Sequence, residues 1–439
     1  MSTASTADAA GAQSRKLLRA TIVNCYPDHN KGSSALASGL VARLRQTGRV
    51  GHITAVALPH RIDARSDYRH LNVACPDVEV VPSPLLDQSV QSRKDKAMFT
   101  AYITGRTLGV RAEVALARRH GRHPALDAIL DSDIVLERGG PFFKGMGAPP
   151  NPSLLRYAWP LLFARRAGIP YALPGQSVGP LNNPWARRVV RNLFLNAELA
   201  SVREDISGRV LEEAGVPAER FTTMLDNAFW TAPRRSSEVS RIIDENGLAG
   251  RRFLAVTCRD RRSQEQEDTY LDELAKAIDQ LVPSALDAAI IVPNLFNPAG
   301  PTHDDRRMSR NLAARLTDNA GVKLVEADLA PDELAALYGE AALVLGHRLH
   351  SLILATVGGT PVVGIASSVG PKTVGVLSLL GLSDFVVPIG TITGGDVTER
   401  AKAALEGQPG VRQRVDQLRA TSDADFDAFV ERVARRTSA

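Results

Sequence analysis

The densest chemistry in the sequence is Gly346-His347-Arg348-Leu349-His350-Ser351, which sets a guanidinium, two imidazoles and a hydroxyl side by side. The segment follows the apolar run Leu343 to Leu345 and opens a stretch in which Leu349, Leu352, Ile353 and Val357 recur at helical spacing until Gly358-Gly359. Such a strand-to-helix junction exposes the unpaired amides of a helix N-terminus, which attract anions. The chemistry on offer is anion binding with a proton donor at hand. The residue types alone leave a second reading open, in which His347 and His350, three apart on one helix, are surface or capping residues. A His-x-x-His pair could also ligate a metal, but the Glu of an HExxH helix is missing and no nearby Cys, His or acidic cluster completes a ligand set. No metal is therefore expected.

The elements that must position these groups alternate between short apolar runs and longer segments with helical spacing, which is the βα pattern of a doubly wound fold. Thr21 to Tyr26 predicts a strand, Pro27 to Gly32 a polar loop, and Ser33 to Arg45 a helix with Leu36, Leu40 and Leu44 on one face. Ile134 to Leu136 predicts a buried strand broken by Glu137-Arg138-Gly139-Gly140-Pro141, then a helix over Leu154 to Ala167 and a strand from Pro170 toward Gly175. The alternation resumes with strands at Phe253 to Cys258, Ile290 to Pro293, Lys323 to Val325 and Pro361 to Ile365, and helices at Asp304 to Leu316 and Pro331 to Tyr338. A polar stretch between Trp230 and Arg252 separates the two series. A chain of 439 residues exceeds one ordinary core. The expected organisation is a disordered tail at 1–17, Rossmann-like α/β domains at 18–235 and 236–405 facing a cleft, and C-terminal helices at 406–439.

Composition narrows the partners. Net charge is +5, from 53 basic against 48 acidic residues, which suits an anionic small substrate or a bacterial membrane surface. Arg187, Arg188 and Arg191 cluster, but aromatic residues make up only 5% of the chain and none interleave with them, which argues against nucleic acid. The cluster reads as a solvated helix face. Cys25, Cys75 and Cys258 are odd in number and lack CxxC spacing, so neither disulfides nor a zinc site are expected and a reducing cytoplasm is the simplest home. Met1 to Ser14 has no signal-peptide core, and no later stretch is apolar enough to span a bilayer.

Gly346 to Ile353, followed by Gly358-Gly359-Thr360-Pro361-Val362-Val363-Gly364-Ile365, resembles the Arg-Leu-His helix and next strand of the polysaccharide pyruvyltransferase family. Asn30-Lys31-Gly32, Ser132 to Val135 running into Gly139-Gly140, and Gly175-Gln176-Ser177-Val178-Gly179-Pro180 match in the family's order. So do Ser201-Val202-Arg203-Glu204 with Ser207, Leu211 and Gly215, the segment Asp226 to Phe229, and Val292-Pro293 with Asp304-Asp305. The resemblance spans Thr21 to Ile389 and implies two Rossmann-like halves facing a cleft, as in B-type glycosyltransferases. Two departures fall in the half it assigns to the acceptor: Ser33 replaces an acidic residue, and the glycine triplet is reduced to Gly139-Gly140-Pro141.

The resemblance implies transfer of the pyruvyl group of phosphoenolpyruvate, a co-substrate rather than a cofactor, to two hydroxyls of a sugar-containing acceptor. A donor with a carboxylate and a phosphate needs cations, and Arg grips either group bidentately. Arg348, Arg203 and Lys372 are the candidates, with Ser351 beside them and Arg259 as a further cation; Lys372 follows the loop Ser367 to Pro371, where the family carries a lysine. His350 is assigned as proton donor, since a bound anion keeps a nearby imidazole protonated. Asn30, Gly32, Ser33, Glu137, Gly139, Gly140 and Gln176 fall on the acceptor side. Asp28, His29 or Glu137 could serve as acceptor base, and nothing in their spacing separates them. A lipid-linked acceptor would bring the protein to the inner membrane face, where arginine-rich helices meet anionic lipid. An oligomer is equally compatible with the sequence. Two other readings fit the same architecture: a nucleotide-sugar glycosyltransferase, and a non-catalytic binding protein that kept the fold.

Overall fold

The computed structural model describes residues 16–58, 67–86, 92–119, 123–259, 264–296, 304–317, 321–367 and 372–438. Residues 1–15 of the expected tail and residues 368–371 of the loop before Lys372 lie outside them. The first sheet contains β1 (Leu18–Cys25), β2 (Val50–Ala57), β3 (Glu79–Val81), β4 (Ile134–Glu137), β5 (Gly140–Gly145), β6 (Tyr171–Leu181), β7 (Leu199–Val202) and β8 (Thr222–Thr223). Its order is β3-β2-β1-β4-β6-β7-β8, with β5 paired to β6. The second contains β9 (Phe253–Thr257), β10 (Ala288–Ile291), β11 (Val322–Leu324), β12 (Leu343–Gly346), β13 (Val362–Ala366) and β14 (Val386–Pro388), in the order β11-β10-β9-β12-β13-β14. The ladders within both are parallel. Parallel strands need helical crossovers that cover both faces, which is why their sequences are continuous apolar runs rather than alternating ones.

Each sheet separates two apolar layers. Trp159, Phe143 and Phe194 fill one face of the first sheet, while Leu40 and Leu44 of the helix Lys31–Gln46 fill the other. The sequence reading missed β5, because Gly139, Gly140 and Pro141 look like a simple chain break. Positive φ angles of 97° and 111° at the two glycines instead turn the backbone from β4 into β5, a conformation that side chains with a Cβ disfavour. Phe143 then locks β5 down, edge-on to Phe194 at 5.9 Å between ring centres.

The C-terminal segment is one helix, Val411–Ser438, and it serves both sheets. Val415 joins the core of the second, while Phe426, Phe429 and Val433 join that of the first. Its apolar residues thus answer to two surfaces, which explains why no single stripe shows in the sequence. Arg43, on the helix Lys31–Gln46, is sandwiched between the rings of Trp230 and Phe426, each 4.2 Å from its guanidinium carbon.

The carboxyl ends of the two sheets face each other, and the first loop is stitched across the gap. Asn30 bridges Leu295, the Lys31 amide donates to the Asn294 carbonyl at 3.1 Å, and the Phe296 amide donates to the His29 carbonyl at 2.8 Å. The Lys31 side chain, fully buried, pairs with Asp328 and lies 2.9 Å from His70 Nε2. Burial lowers the pKa of Lys31, and the Asp328 carboxylate offsets part of that penalty.

Candidate functional site

The helix Leu349–Val357 begins directly after β12, so His350 sits in its first turn at the mouth of the cleft. Its ring rests on Gly32, the second residue of the helix Lys31–Gln46 in the other domain. A Cβ at Gly32 would lie 2.1 Å from His350 Nδ1 and 2.5 Å from its Cγ, so only glycine leaves room for the imidazole. Gly32, read from the sequence as acceptor-binding, is therefore the seat of the histidine ring.

His350 Nε2 lies 3.7 Å from Asp226 Oδ2; the side chain keeps 19% of its surface exposed, while Nε2 itself is buried. The expected imidazolium depends on a bound anion, because the protein's own groups favour the neutral ring. Burial, with the nearby charges of Arg203, Arg138 and Lys372, outweighs Asp226 and brings the pKa of His350 down to about 4. The ring is neutral at pH 7 until a ligand changes its surroundings.

Asp226 is the hub of this arrangement. It ion-pairs with the fully buried Arg203, caps the short turn Asn227–Trp230 through the Ala228 amide at 2.8 Å, and faces His350. Arg203 Nε donates to Ser177 Oγ at 2.8 Å, while its Nη2 has no hydrogen-bond partner. Buried polar groups are seldom left without a hydrogen bond in folded proteins. His350 Nε2, Gln176 Oε1, Glu137 Oε1 and Asn227 Oδ1 are also buried without a hydrogen bond.

The rim is cationic. Lys372 opens the helix Lys372–Leu379 of the second domain and is held well below its ordinary pKa by burial and by the charges of Lys144, Arg203 and Arg259. Lys144, on β5, adds its charge to the surroundings of Lys372, and burial lowers its pKa as well. Arg203, Arg259 and Lys372 were anticipated from the sequence and do converge; Lys144 was not, because its strand went unread. Glu204 faces the group from beneath, fully buried and hydrogen-bonded to Ser177 at 3.0 Å. Gly375 packs so closely there that a Cβ would lie 2.6 Å from that of Glu204.

Other anticipated residues do different work. Arg348 stands at the N-cap position of the helix Leu349–Val357, but its side chain turns to Asp305, its Nε donating to Oδ2 at 3.0 Å, so its guanidinium is engaged within the second domain. Ser351 is fully buried and bonds Thr257 at 2.8 Å and the Arg348 carbonyl at 2.6 Å, tying the helix to β9. Asn30 caps the helix Lys31–Gln46 by accepting from the Ser33 amide at 3.2 Å. The Ser33 carbonyl accepts from Arg138 at 2.9 Å. Glu137 accepts from the Gly139 amide at 2.6 Å and from Gln176 at 2.5 Å, and burial raises its pKa. Asp28 is committed to Ser34 and to the amides of His70 and Leu71, so it organises the loop. Gly140 passes beside the Arg138 guanidinium, and Asn227 Nδ2 holds the turn at Gly139 by donating to the Arg138 carbonyl at 3.1 Å.

Arg138, Asp226 and Asn227, like Lys144, are groups around His350 that sequence reasoning left without a role, although Asp226 and Asn227 lay in a matched segment. Among the described residues, no group of three or more His, Cys, Asp and Glu is arranged to hold a metal ion, and no helix is long and apolar enough to cross a membrane. Cys25, Cys75 and Cys258 are free and buried.

The fold is shared with UDP-N-acetylglucosamine 2-epimerases. One such structure aligns with a TM-score of 0.57 at 15% identity, covering 96% of this chain and 97% of its own. The enzyme from Neisseria meningitidis aligns with a TM-score of 0.54 at 12% identity, covering 95% and 99%. At these identities the likeness shows the two-domain, B-type glycosyltransferase-like α/β fold alone. Amylovoran biosynthesis protein AmsJ of Erwinia amylovora is 24% identical over 297 residues, 66% of this chain and 69% of that protein. The family model for polysaccharide pyruvyl transferases matches residues 30–369, from the cap that starts the Gly32 helix through β13, and so takes in the whole His350 site except Lys372. This chain belongs to the polysaccharide pyruvyl transferase family.

Proposed function

We propose that this protein transfers the pyruvyl group of phosphoenolpyruvate to two hydroxyls of one sugar-containing acceptor, releasing phosphate and leaving a cyclic ketal. The observation that carries the reading is an imidazole, His350, held between Asp226 and a cluster of cations drawn from both domains. A compact, highly charged anion fits such a cluster, and phosphoenolpyruvate is one.

The chemistry follows from the groups present. Binding of the donor neutralises Arg203 and Lys372 and lets His350 take up a proton. His350 delivers that proton to the methylene carbon, making the neighbouring carbon electrophilic. The first acceptor hydroxyl adds to that carbon and returns its proton to the imidazole. The second hydroxyl then attacks the same carbon, the bond to the phosphate oxygen breaks, and the hydroxyl proton leaves with phosphate. Two hydroxyls on one sugar make the closure intramolecular, which favours it entropically. We assign Glu137 and Gln176, each with a buried oxygen lacking a hydrogen bond, to the acceptor.

The test is direct. Purified protein incubated with phosphoenolpyruvate and candidate glycans, free or lipid-linked, should release phosphate and yield a product heavier by one pyruvyl ketal. His350→Ala should abolish turnover. Release of nucleoside diphosphate from a nucleotide sugar in parallel reactions would instead favour a glycosyltransferase, and binding without turnover of either donor would favour a non-catalytic protein.

A further inference from the structure

We infer that Arg138 is a positioning residue, which holds from the first domain both walls between which the His350 ring stands. The inference rests on the proposed reaction only in taking His350 as the proton donor; the place of the ring can be read without turnover.

Each nitrogen of the ring meets a different wall. Nδ1 lies against Gly32, where any Cβ would strike it, and Nε2 lies 3.7 Å from Asp226 Oδ2. Gly32 is the second residue of the helix Lys31–Gln46, while Asp226 caps the turn Asn227–Trp230. Arg138, buried directly after β4, reaches both. Its Nη1 donates to the carbonyl of Ser33, the residue after Gly32, at 2.9 Å. Its own carbonyl accepts from the side-chain amide of Asn227, the residue after Asp226, at 3.1 Å. The two walls also press on each other, since a Cβ at Gly39 of the helix would collide with the Asn227 carbonyl.

Two further contacts fix the guanidinium itself. Nε donates to the carbonyl of Asn24 on β1 at 3.1 Å, and the group lies 4.8 Å over the Phe142 ring, which stacks on Tyr157 at 4.1 Å. A planar fork can bond carbonyls on two elements while its face rests on a ring; an ammonium carries the same charge without that shape. The charged groups around the imidazole are Asp226, which favours its protonation, and Arg203, Arg138 and Lys372, which oppose it together with burial. Loss of Arg138 therefore has two separable effects: the ring loses its fixed place, and it accepts a proton more readily.

The test is an NMR titration of the histidine rings in the full-length protein, with the His350 signal identified by its loss in His350→Asn. Steady-state kinetics with phosphoenolpyruvate and the glycan that supports phosphate release run alongside. In Arg138→Met the His350 signal should move, and its titration midpoint should rise from about 4 by about one unit. There kcat should fall about 100-fold, with KM for the donor within about threefold. Arg138→Lys keeps the charge, so the midpoint should stay near that of the wild type while the signal moves and kcat falls about tenfold. A merely structural role would lower Tm and leave the His350 signal and kcat per folded molecule as in the wild type. A His350 signal unmoved in Arg138→Met overturns the inference. So does a wild-type signal and kcat in Arg138→Lys, which would make charge alone the contribution of Arg138; this variant decides if the Met variant does not fold. Moved signals in both variants, from a wild type that releases no phosphate from phosphoenolpyruvate with any glycan, support the inference and overturn the proposed reaction.

Discussion

Donor binding should load a proton onto His350, and the size of the effect can be worked out from the site. With a pKa of about 4 in the empty protein, the ring is almost wholly neutral at pH 7. General-acid catalysis at that pH requires a bound pKa near 7, a shift of about 3 units, or roughly 4 kcal/mol of coupling between donor and proton. One negative charge about 4 Å from the ring, at an effective dielectric near 20, supplies about 4 kcal/mol. A single phosphoryl or carboxylate oxygen in contact is thus just sufficient. Because the bound pKa is the raised one, the extra affinity is full at low pH and disappears as pH rises through about 7. Between pH 5 and 7 the His350 contribution should weaken binding by up to about tenfold per unit.

The assay is titration calorimetry at pH 7 in buffers of different ionisation enthalpy, which counts protons taken up. The donor's phosphate, with a second ionisation near 6, also exchanges protons, so the informative quantity is the difference between wild type and His350→Asn. That difference should be at least about half a proton at pH 7 and should vanish by about pH 9. Equal uptake in the two proteins across this range would refute the reasoning and remove His350 as the proton donor.

Three further outcomes are expected. Gly32→Ala places a methyl group against the His350 ring; turnover should fall at least about 100-fold while donor affinity changes little, as measured by steady-state kinetics and calorimetry. Arg348→Ala should act mainly on stability, since it removes a guanidinium paired with Asp305, which is 1% exposed. A loss of about 3 kcal/mol and a fall in Tm of roughly 5–10 °C are expected by calorimetric scanning. The groove lined by Leu108, Leu155, Leu162, Trp185, Arg188 and Arg191 combines apolar and basic groups on the outer face of the first domain. If the acceptor is lipid-linked, co-sedimentation with anionic vesicles should drop in an Arg188→Ser, Arg191→Ser variant, and zwitterionic vesicles should show no binding to either protein.

The alternation that built both sheets was legible because parallel strands buried on both faces leave unbroken apolar runs, as in Ile290 to Val292. The His350 junction was legible for a local reason: strand, loop and helix are contiguous in sequence, so their chemistry appears side by side. What failed to show was whatever depends on distant partners. Asp226 meets His350 only through the closing of one domain on the other. The depressed pKa of that histidine comes from burial and from Arg203, Arg138 and Lys372, three separate parts of the chain. Ser351 and Arg348 have side chains suited to an anion, but helix geometry aims one at β9 and Asp305 claims the other. Lys144 was hidden because glycine and proline before it resembled a chain break.

These particulars bear on why the acceptor-side and donor-side labels drawn from linear order do not divide the molecule cleanly. Arg203 and Lys144 belong to the first domain and yet face Lys372, while His350 belongs to the second and rests on a glycine of the first. Neither half alone contains a proton donor, its carboxylate and its cations. The contacts that fix the halves together, from Asn30 and Lys31 to Leu295 and Asp328, therefore set the geometry of the reacting groups. Domain separation should disable the site by dispersing its members, even with each domain's core intact. The terminal helix, packed on both sheets and clasping Arg43 at the joint, is a packing contact by which this chain resists that separation.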